Sequence, residues 1–511
     1  MSGTGRPRRR LAAGALAAAC LALGPGVAAG QPAAAAESCA GGVESDFNGD
    51  GLRDMVIADP QATVEGMAAA GQVHVVLGGG KGTVQVHQSM PNVSDGAEPG
   101  DQFGFSLAVY DANLDGCSDL AVGIPYEDVG EVPDAGLVHL IYGSPLGIGQ
   151  GTPDRGFRQG AALAETAEPE DRVGYAVAAT RSATGVPYLV VGAPGEDVSG
   201  KTDSGLVSAV YGTDFRAVSF DQDSPGVWEE REAYDEFGSA IVASGGYFVV
   251  GVPGESVDTD QSAGVVMAFR TSINTDGIPA PSFGMGQLRA AGSEKSAETG
   301  DRYGTSMAFV PYRPSTASSP SEYLLAVGVP GEDLADVMDA GAVQTYQISA
   351  TGGVTHLGWI DQNTADVEGE AEPGDFFGQT LAAANTDPAA VGTAATMRLA
   401  VGVPGEESTE EHVDKGGVQI FPFLGAPGAS DAWLEPGAGI PSPPASRQLA
   451  GVSLGATRTD LFVGMPYGPA EGHAVHAFPW NATTGQAPTR TWQPGWDGIP
   501  AGDGAFGAVV R

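Results

Sequence analysis

The sequence predicts an all-β fold, a seven-bladed β-propeller whose ring closes by pairing its amino- and carboxyl-terminal segments. Three observations carry this. An apolar run ending in a small residue and then proline recurs seven times, an aromatic or apolar residue followed by glycine recurs in phase with it, and the chain stops at the stage of the repeat where its beginning resumes.

The first marker reads MVIADP, LAVGIP, LVVGAP, FVVGVP, LAVGVP, LAVGVP and LFVGMP, ending at Pro60, Pro125, Pro194, Pro253, Pro330, Pro404 and Pro466. Successive prolines lie 65, 69, 59, 77, 74 and 62 residues apart, which suits a four-stranded blade and exceeds a helical-repeat unit. Runs of four or five apolar residues fit strands covered on both faces, and proline rigidifies the strand exit while removing a donor there. After each proline comes a loop, often acidic, and then a glycine opening an alternating strand such as GQVHVVLG or GLVHLIYG, the period of a half-buried strand.

The second marker falls at Phe103-Gly104, Val173-Gly174, Phe237-Gly238, Tyr303-Gly304, Phe377-Gly378, a worn Leu454-Gly455, and Phe506-Gly507. Its glycine allows positive φ or close backbone approach. Phe506-Gly507 opens a strand that ends at Arg511, the stage held by Ala108 in the second unit, and aligning Asp46 with Asp111 sets Val43 opposite Ala108. One blade is therefore split between the termini, which removes the sheet edges of an open array.

Residues 37–511 form this propeller, and residues 1–36 are set apart from it. Arg6 to Arg10, the apolar run Leu11 to Leu23 and small residues to Ala36 have the three regions of a secretory signal peptide, and the triple arginine leaves both the general and the twin-arginine export routes open. The apolar run of thirteen residues is short of the roughly 20 a spanning helix needs. A secreted, extracellular protein with no membrane span is expected. Removing the four arginines of this segment, which has no acidic residue, takes the formal charge from −39 to −43. Such a field excludes nucleic acid as a partner and attracts divalent cations or basic partners, though solubility alone also accounts for it. Two cysteines remain, Cys39 and Cys117, and in an oxidising compartment they are candidates for one bridge.

Two loops carry oxygen donors at alternating positions. DFNGDGLRD offers Asp46, Asn48, Asp50, the Leu52 carbonyl and Asp54; DANLDGCSD offers Asp111, Asn113, Asp115, the Cys117 carbonyl and Asp119. Calcium takes six to eight such oxygens, and a glycine at the sixth position permits the sharp turn. The twelfth position, a glutamate in an EF-hand, holds Ile57 and Val122, so these are β-hairpin loops. An Asp/Asn-rich turn that binds nothing is the competing reading. Ser244-Gly245-Gly246 replaces the loop in the fourth unit, so metal is optional per blade.

The paired Phe-Gly and Gly-x-Pro markers, with Asp-x-Asn-x-Asp-Gly-x-x-Asp loops between them, resemble the FG-GAP repeats of the integrin α-chain propeller and of the repeat region of glycosylphosphatidylinositol phospholipase D. The resemblance covers residues 37 to 511. It implies a propeller with calcium in its loops and with an extracellular protein or glycan ligand met by loops on one face, hence a binding or adhesion module. The alternative it implies is an extracellular hydrolase of the phospholipase kind, although neither the integrin legs nor the zinc-dependent catalytic domain has a counterpart in this sequence.

No catalytic residue is assigned. There is no HExxH, no Gly-x-Ser-x-Gly elbow and no phosphate-cradling glycine loop. His74 and His139 share one slot of the repeated strand, and His473 and His476 sit in its seventh copy, which makes them structural. Glu127-Asp128, Glu196-Asp197, Glu332-Asp333 and Glu406-Glu407 would suit acid/base hydrolysis, but their spread around the ring reads as solvated loop decoration. Trp480, Trp492 and Trp496 fit core or loop packing, or a stacking platform.

Overall fold

The computed structural model describes Cys39 and residues 41–287, 297–315, 317–407, 412–469, 473–502 and 504–511; the expected signal segment, residues 1–36, lies outside them. The described chain has no α-helix and forms seven antiparallel sheets. Blade 2 sets the pattern: Ser106–Tyr110, Asp119–Ile124, Leu137–Ile141 and Arg155–Phe157 pair in chain order. Each of the seven proline-marked strands ends on the residue just before its proline, from Met55–Asp59 to Asp460–Met465. Blade 6 adds a short parallel strand, Gly439–Ile440.

Alternate residues of these strands face opposite neighbours, so each blade is apolar on both sides. Val190 packs toward blade 4 and Val191 toward blade 2. The result is seven buried clusters, one at each seam between blades. The last joins Phe462, Val475 and Trp492 of blade 7 to Met55, Ile57, Phe506 and Val510 of blade 1, so the ring is closed.

Blade 1 is the split one. Val509–Val510 pairs with Met55–Asp59, Arg511 exchanges two backbone hydrogen bonds with Val56 (2.9 and 3.0 Å), and the pairing then passes to the amino-terminal segment, where Asp54 N–H donates to the Ser45 carbonyl (2.9 Å). The expected closure is thus a composite strand from both ends of the chain.

The two sequence markers turn out to be halves of one contact. A Cβ added to the Gly-x-Pro glycine would stand 2.1 Å (Gly123, Gly192), 2.2 Å (Gly251, Gly328) or 2.0 Å (Gly402, Gly464) from the carbonyl oxygen of the next marker's glycine. At the first seam Ala58 holds the place, its methyl 3.2 Å from a Cβ added at Gly104. The partner of Gly402 is Gly451, and the neighbouring Ala450, wholly buried, replaces the aromatic. This corrects the worn marker from Leu454-Gly455 to Ala450-Gly451: the close backbone approach kept its glycine while the ring beside it shrank. Gly251→Ala is expected to destabilise the protein by about 3 kcal/mol or more, because its methyl meets backbone rather than a movable side chain. Gly96→Ala, with nothing within 4 Å, is expected to stay within about 0.5 kcal/mol. Equal denaturation midpoints for the two variants would contradict this account.

Candidate functional site

The two candidate metal loops are hairpin tips that lead into the second strands of blades 1 and 2, and their internal hydrogen bonds match at most positions, the exceptions being Asp50 N–H to Asp46 Oδ1 (3.1 Å) in the first and Asn113 Nδ2 to Asp115 Oδ2 (3.0 Å) in the second. Asp50 N–H donates to Asn48 Oδ1 (3.0 Å) and Asp115 N–H to Asn113 Oδ1 (2.9 Å). Leu52 N–H donates to Asp50 Oδ1 (2.8 Å) and Cys117 N–H to Asp115 Oδ1 (2.9 Å). Gly51 N–H reaches Asp46 Oδ2 (2.8 Å) and Gly116 N–H reaches Asp111 Oδ2 (3.2 Å), each glycine having positive φ. Asp54 and Asp119, both buried, close the loops by accepting from Phe47 and Gly78, and from Ala112 and Gly143. These short side-chain turns fix the curvature with carboxylate and amide oxygens gathered in one loop.

The donor set fits a hard divalent cation. Asp111 Oδ1 is buried with no hydrogen-bond partner, an acceptor with nothing to accept from. A basic side chain also touches each loop: Lys81 Nζ stands 2.6 Å from Asp50 Oδ2, and Arg181 Nη2, from blade 3, stands 3.0 Å from Asp111 Oδ2. Burial, then the charges of Asp115 and Asp111, push the Asp119 carboxyl up to about 7. The Leu52 and Leu114 side chains are exposed, and Cys117 is wholly buried in a disulfide with Cys39, Cα atoms 5.1 Å apart. The bridge expected between these cysteines is present.

The histidines His74, His139, His473 and His476 are buried in or beside their strands, as expected. Asp154 pairs with His139 and also accepts from Ser94 N–H and Oγ (2.9 and 3.0 Å). Trp480 and Trp492 are buried and Trp496 is exposed.

The first acid of each loop pair is not solvated decoration, whereas Asp128, Asp197 and Asp333 are exposed as expected. Glu127, Glu196, Glu255 and Glu332 are buried at successive seams and Glu406 nearly so. Each accepts a hydrogen bond from a glutamine amide on the blade before it: Gln88 to Glu127 (2.6 Å), Gln159 to Glu196, Gln222 to Glu255 (2.5 Å), Gln287 to Glu332 (2.6 Å) and Gln362 to Glu406 (2.8 Å). A buried aspartate completes each seam: Asp101, Asp171, Asp235, Asp301 and Asp375, each accepting the N–H of the residue three before it. The second loop acid works locally, Asp128, Asp197 and Asp333 each capping the N–H six residues on. The signal was present in the sequence: the glutamate always stands two residues after the proline. A solvated acid has no reason to keep step with the strand.

All five glutamine Oε1 atoms, with Asp171 Oδ1 and Asp375 Oδ1, are buried without partners, so these cells hold more acceptors than donors. Burial first, then the facing aspartate, pushes Glu127, Glu196, Glu255 and Glu406 up to about 8. At the sixth seam the arrangement changes to a Lys415–Glu435 ion pair (2.5 Å), with Lys415 wholly buried.

Residues 103–141, the stretch from Phe103 through the third strand of blade 2, match the FG-GAP repeat family. The chain is similar to phosphatidylinositol-glycan-specific phospholipase D of Rattus norvegicus, 30% identical over 172 residues, and of Homo sapiens, 30% over 175; each match takes in 33% of this chain and 20% of that protein. It is also similar to integrin alpha-PS2 of Drosophila melanogaster, 38% identical over 109 residues, 20% of this chain and 7% of that one. The chain therefore spans about a fifth or less of the curated relatives it matches. Among the described residues no helix is long and apolar enough to cross a membrane.

Proposed function

We propose that this chain, a seven-bladed propeller of FG-GAP repeats, is a secreted calcium-binding module that meets an extracellular protein or glycan through loops on one face. The observation that carries the calcium reading is the twinned loop. Two hairpins with the same five donor positions share most of their hydrogen bonds, and in one of them a carboxylate oxygen is buried and unpartnered. Asp46, Asn48, Asp50, Leu52 and Asp54 would hold one ion, and Asp111, Asn113, Asp115, Cys117 and Asp119 the other; the ion would add positive charge to that which Lys81 and Arg181 already bring to these carboxylates. The loops after the prolines and before the Phe-Gly markers lie at the opposite ends of the strands from these hairpins. On them Tyr234, Met338, Phe376 and Tyr467 are exposed, which favours that face for the ligand.

Calcium at about 2 mM is expected to raise the melting temperature over that in chelator. With affinities in the extracellular range of roughly 10⁻⁴ to 10⁻³ M, each loop contributes about 0.6 to 1.8 kcal/mol. Asp50→Asn with Asp115→Asn should abolish the rise, and identical melts in calcium and chelator for the unaltered protein would reject the reading. The phospholipase names of several relatives give the hydrolase alternative its test: release of product from a glycosylphosphatidylinositol substrate by purified protein, with loss on mutation of one seam acid.

A further inference from the structure

We propose that the two loops bind calcium as one coupled unit, held together by the Cys39–Cys117 disulfide and by backbone hydrogen bonds that run from donor residues of one loop into the other. This rests on the calcium reading and adds to it an energetic link between the sites and a dependence on the redox state of the chain.

The coupling has two routes, and both pass through residues adjacent to donors. In the first, the Asp46 carbonyl of loop 1 accepts the N–H of Ser118 in loop 2 (2.8 Å), and Ser118 lies between Cys117 and Asp119. The next carbonyl, Phe47, accepts from Ser144 (3.0 Å), and the neighbouring Gly143 N–H donates to Asp119 Oδ1 (2.9 Å). Phe47 itself is wholly buried and donates to Asp54 Oδ2 (3.0 Å), so it is held between loop 1 and the Gly143-Ser144 segment that also holds Asp119. A shift of the Asp46–Phe47 backbone therefore moves the backbone that positions Asp119.

The second route is covalent. Cys39 lies against both loops: a Cβ at Gly49 would be 2.8 Å from Cys39 Cα, and one at Gly116 would be 3.2 Å from the Cys39 carbonyl. Its bond to Cys117 joins this segment to the seventh position of loop 2, and an Asp115 carboxylate oxygen lies within 4.8 Å of both sulfurs. Ordering loop 1 around an ion fixes Cys39 through Gly49, and Cys39 in turn fixes Gly116 and Cys117. A ligand that orders a shared element lowers the ordering cost of the second ligand, which is positive cooperativity. Linkage requires the effect to be equal in both directions.

The test is calorimetric titration of the oxidised full chain with calcium chloride in chelator-stripped buffer. The unaltered protein should take two ions with a Hill coefficient above 1. Asp50→Asn, on the rim of loop 1, should weaken binding at loop 2 by about fivefold, and Asp115→Asn should weaken loop 1 by the same factor. Cys39→Ser with Cys117→Ser should still take two ions, with a lower Hill coefficient and both factors reduced, because only the backbone route remains. Two ions bound independently in the oxidised chain would overturn the coupling while leaving the calcium reading intact, and so would unequal factors for the two aspartate variants. Cooperativity undiminished by loss of both cysteines would overturn the role of the disulfide. No uptake by the unaltered protein would overturn the calcium reading and the coupling with it. The aspartate variants keep the disulfide, so the reciprocity test stands even if the cysteine variant does not fold.

Discussion

Removal of residues 504–511 is expected to abolish the single cooperative melt of the protein, or to lower its midpoint by more than about 10 °C. Those residues take Phe506 and Val510 out of the cluster between blades 7 and 1, and each buried side chain of that size is worth about 1.5 to 3 kcal/mol before the cavity is counted. They also remove the contact of Gly507 with Gly464, the hydrogen bond of Ala505 N–H to Asp59 Oδ1 (2.7 Å), and the two bonds between Arg511 and Val56. What remains is a ring open at one seam, with Met55–Asp59 presenting an unpaired edge. Scanning calorimetry measures the loss, and size-exclusion chromatography should show edge-paired oligomers. A truncated chain that melts within about 2 °C of the full one would mean that closure contributes little.

The second large effect is on pH. At the five acid seams the facing carboxyls are held above their ordinary range, Asp101, Asp171 and Asp375 at about 7, Asp235 at about 6 and Asp301 at about 8, chiefly by burial. Unfolded carboxyls titrate near pH 4. Between that value and the native ones the folded chain holds protons that the unfolded chain has released, so stability is complete below about pH 4 and falls as pH rises through 6 to 8. A tenfold difference in proton affinity between the folded and unfolded chain corresponds to about 1.4 kcal/mol, and five seams act in the same direction. Melting in chelator should therefore be several degrees higher at pH 5.5 than at pH 8.5. Asp235→Asn with Glu255→Gln should reduce that slope by the share of one seam, whereas neutralising the exposed Glu131 should leave it unchanged. A slope that this pair of changes leaves undiminished would assign it to the general negative charge of the surface instead.

The repeat, the blade count and the splice of the two ends were legible in the sequence because each is a matter of phase. Seven prolines and seven glycines in step fix where strands stop and start, and the coincidence of Arg511 with Val43 at one stage of the repeat locates the join. The bridge from Cys39 to Cys117 was legible only as the sole pairing available, and its position between two hairpins was not. What stayed hidden depends on the neighbouring blade. The Glu127 carboxylate reads as a loop acid until Gln88, on another sheet, is set against it. The worn marker was misplaced by four residues because Leu454-Gly455 looks apolar-then-glycine, whereas the deciding feature is the packing of Gly451 on Gly402, where an added Cβ would stand 2.0 Å from the Gly451 carbonyl oxygen, which no single strand encodes. The ten candidate metal residues were readable from their spacing, but the hydrogen bond from Ser118 to Asp46 joins positions 72 apart and needed the ring.

The strand assembled from residues 509–511 and the segment before Asp46 also sets an order of events in the cell. Synthesis proceeds from the amino terminus, so the first sheet to leave the ribosome is the last to be completed, waiting for a partner separated from Val56 by almost the whole chain. Contacts of such long range form slowly, and until they do the newborn polypeptide keeps one flank open to chaperones or to misassociation.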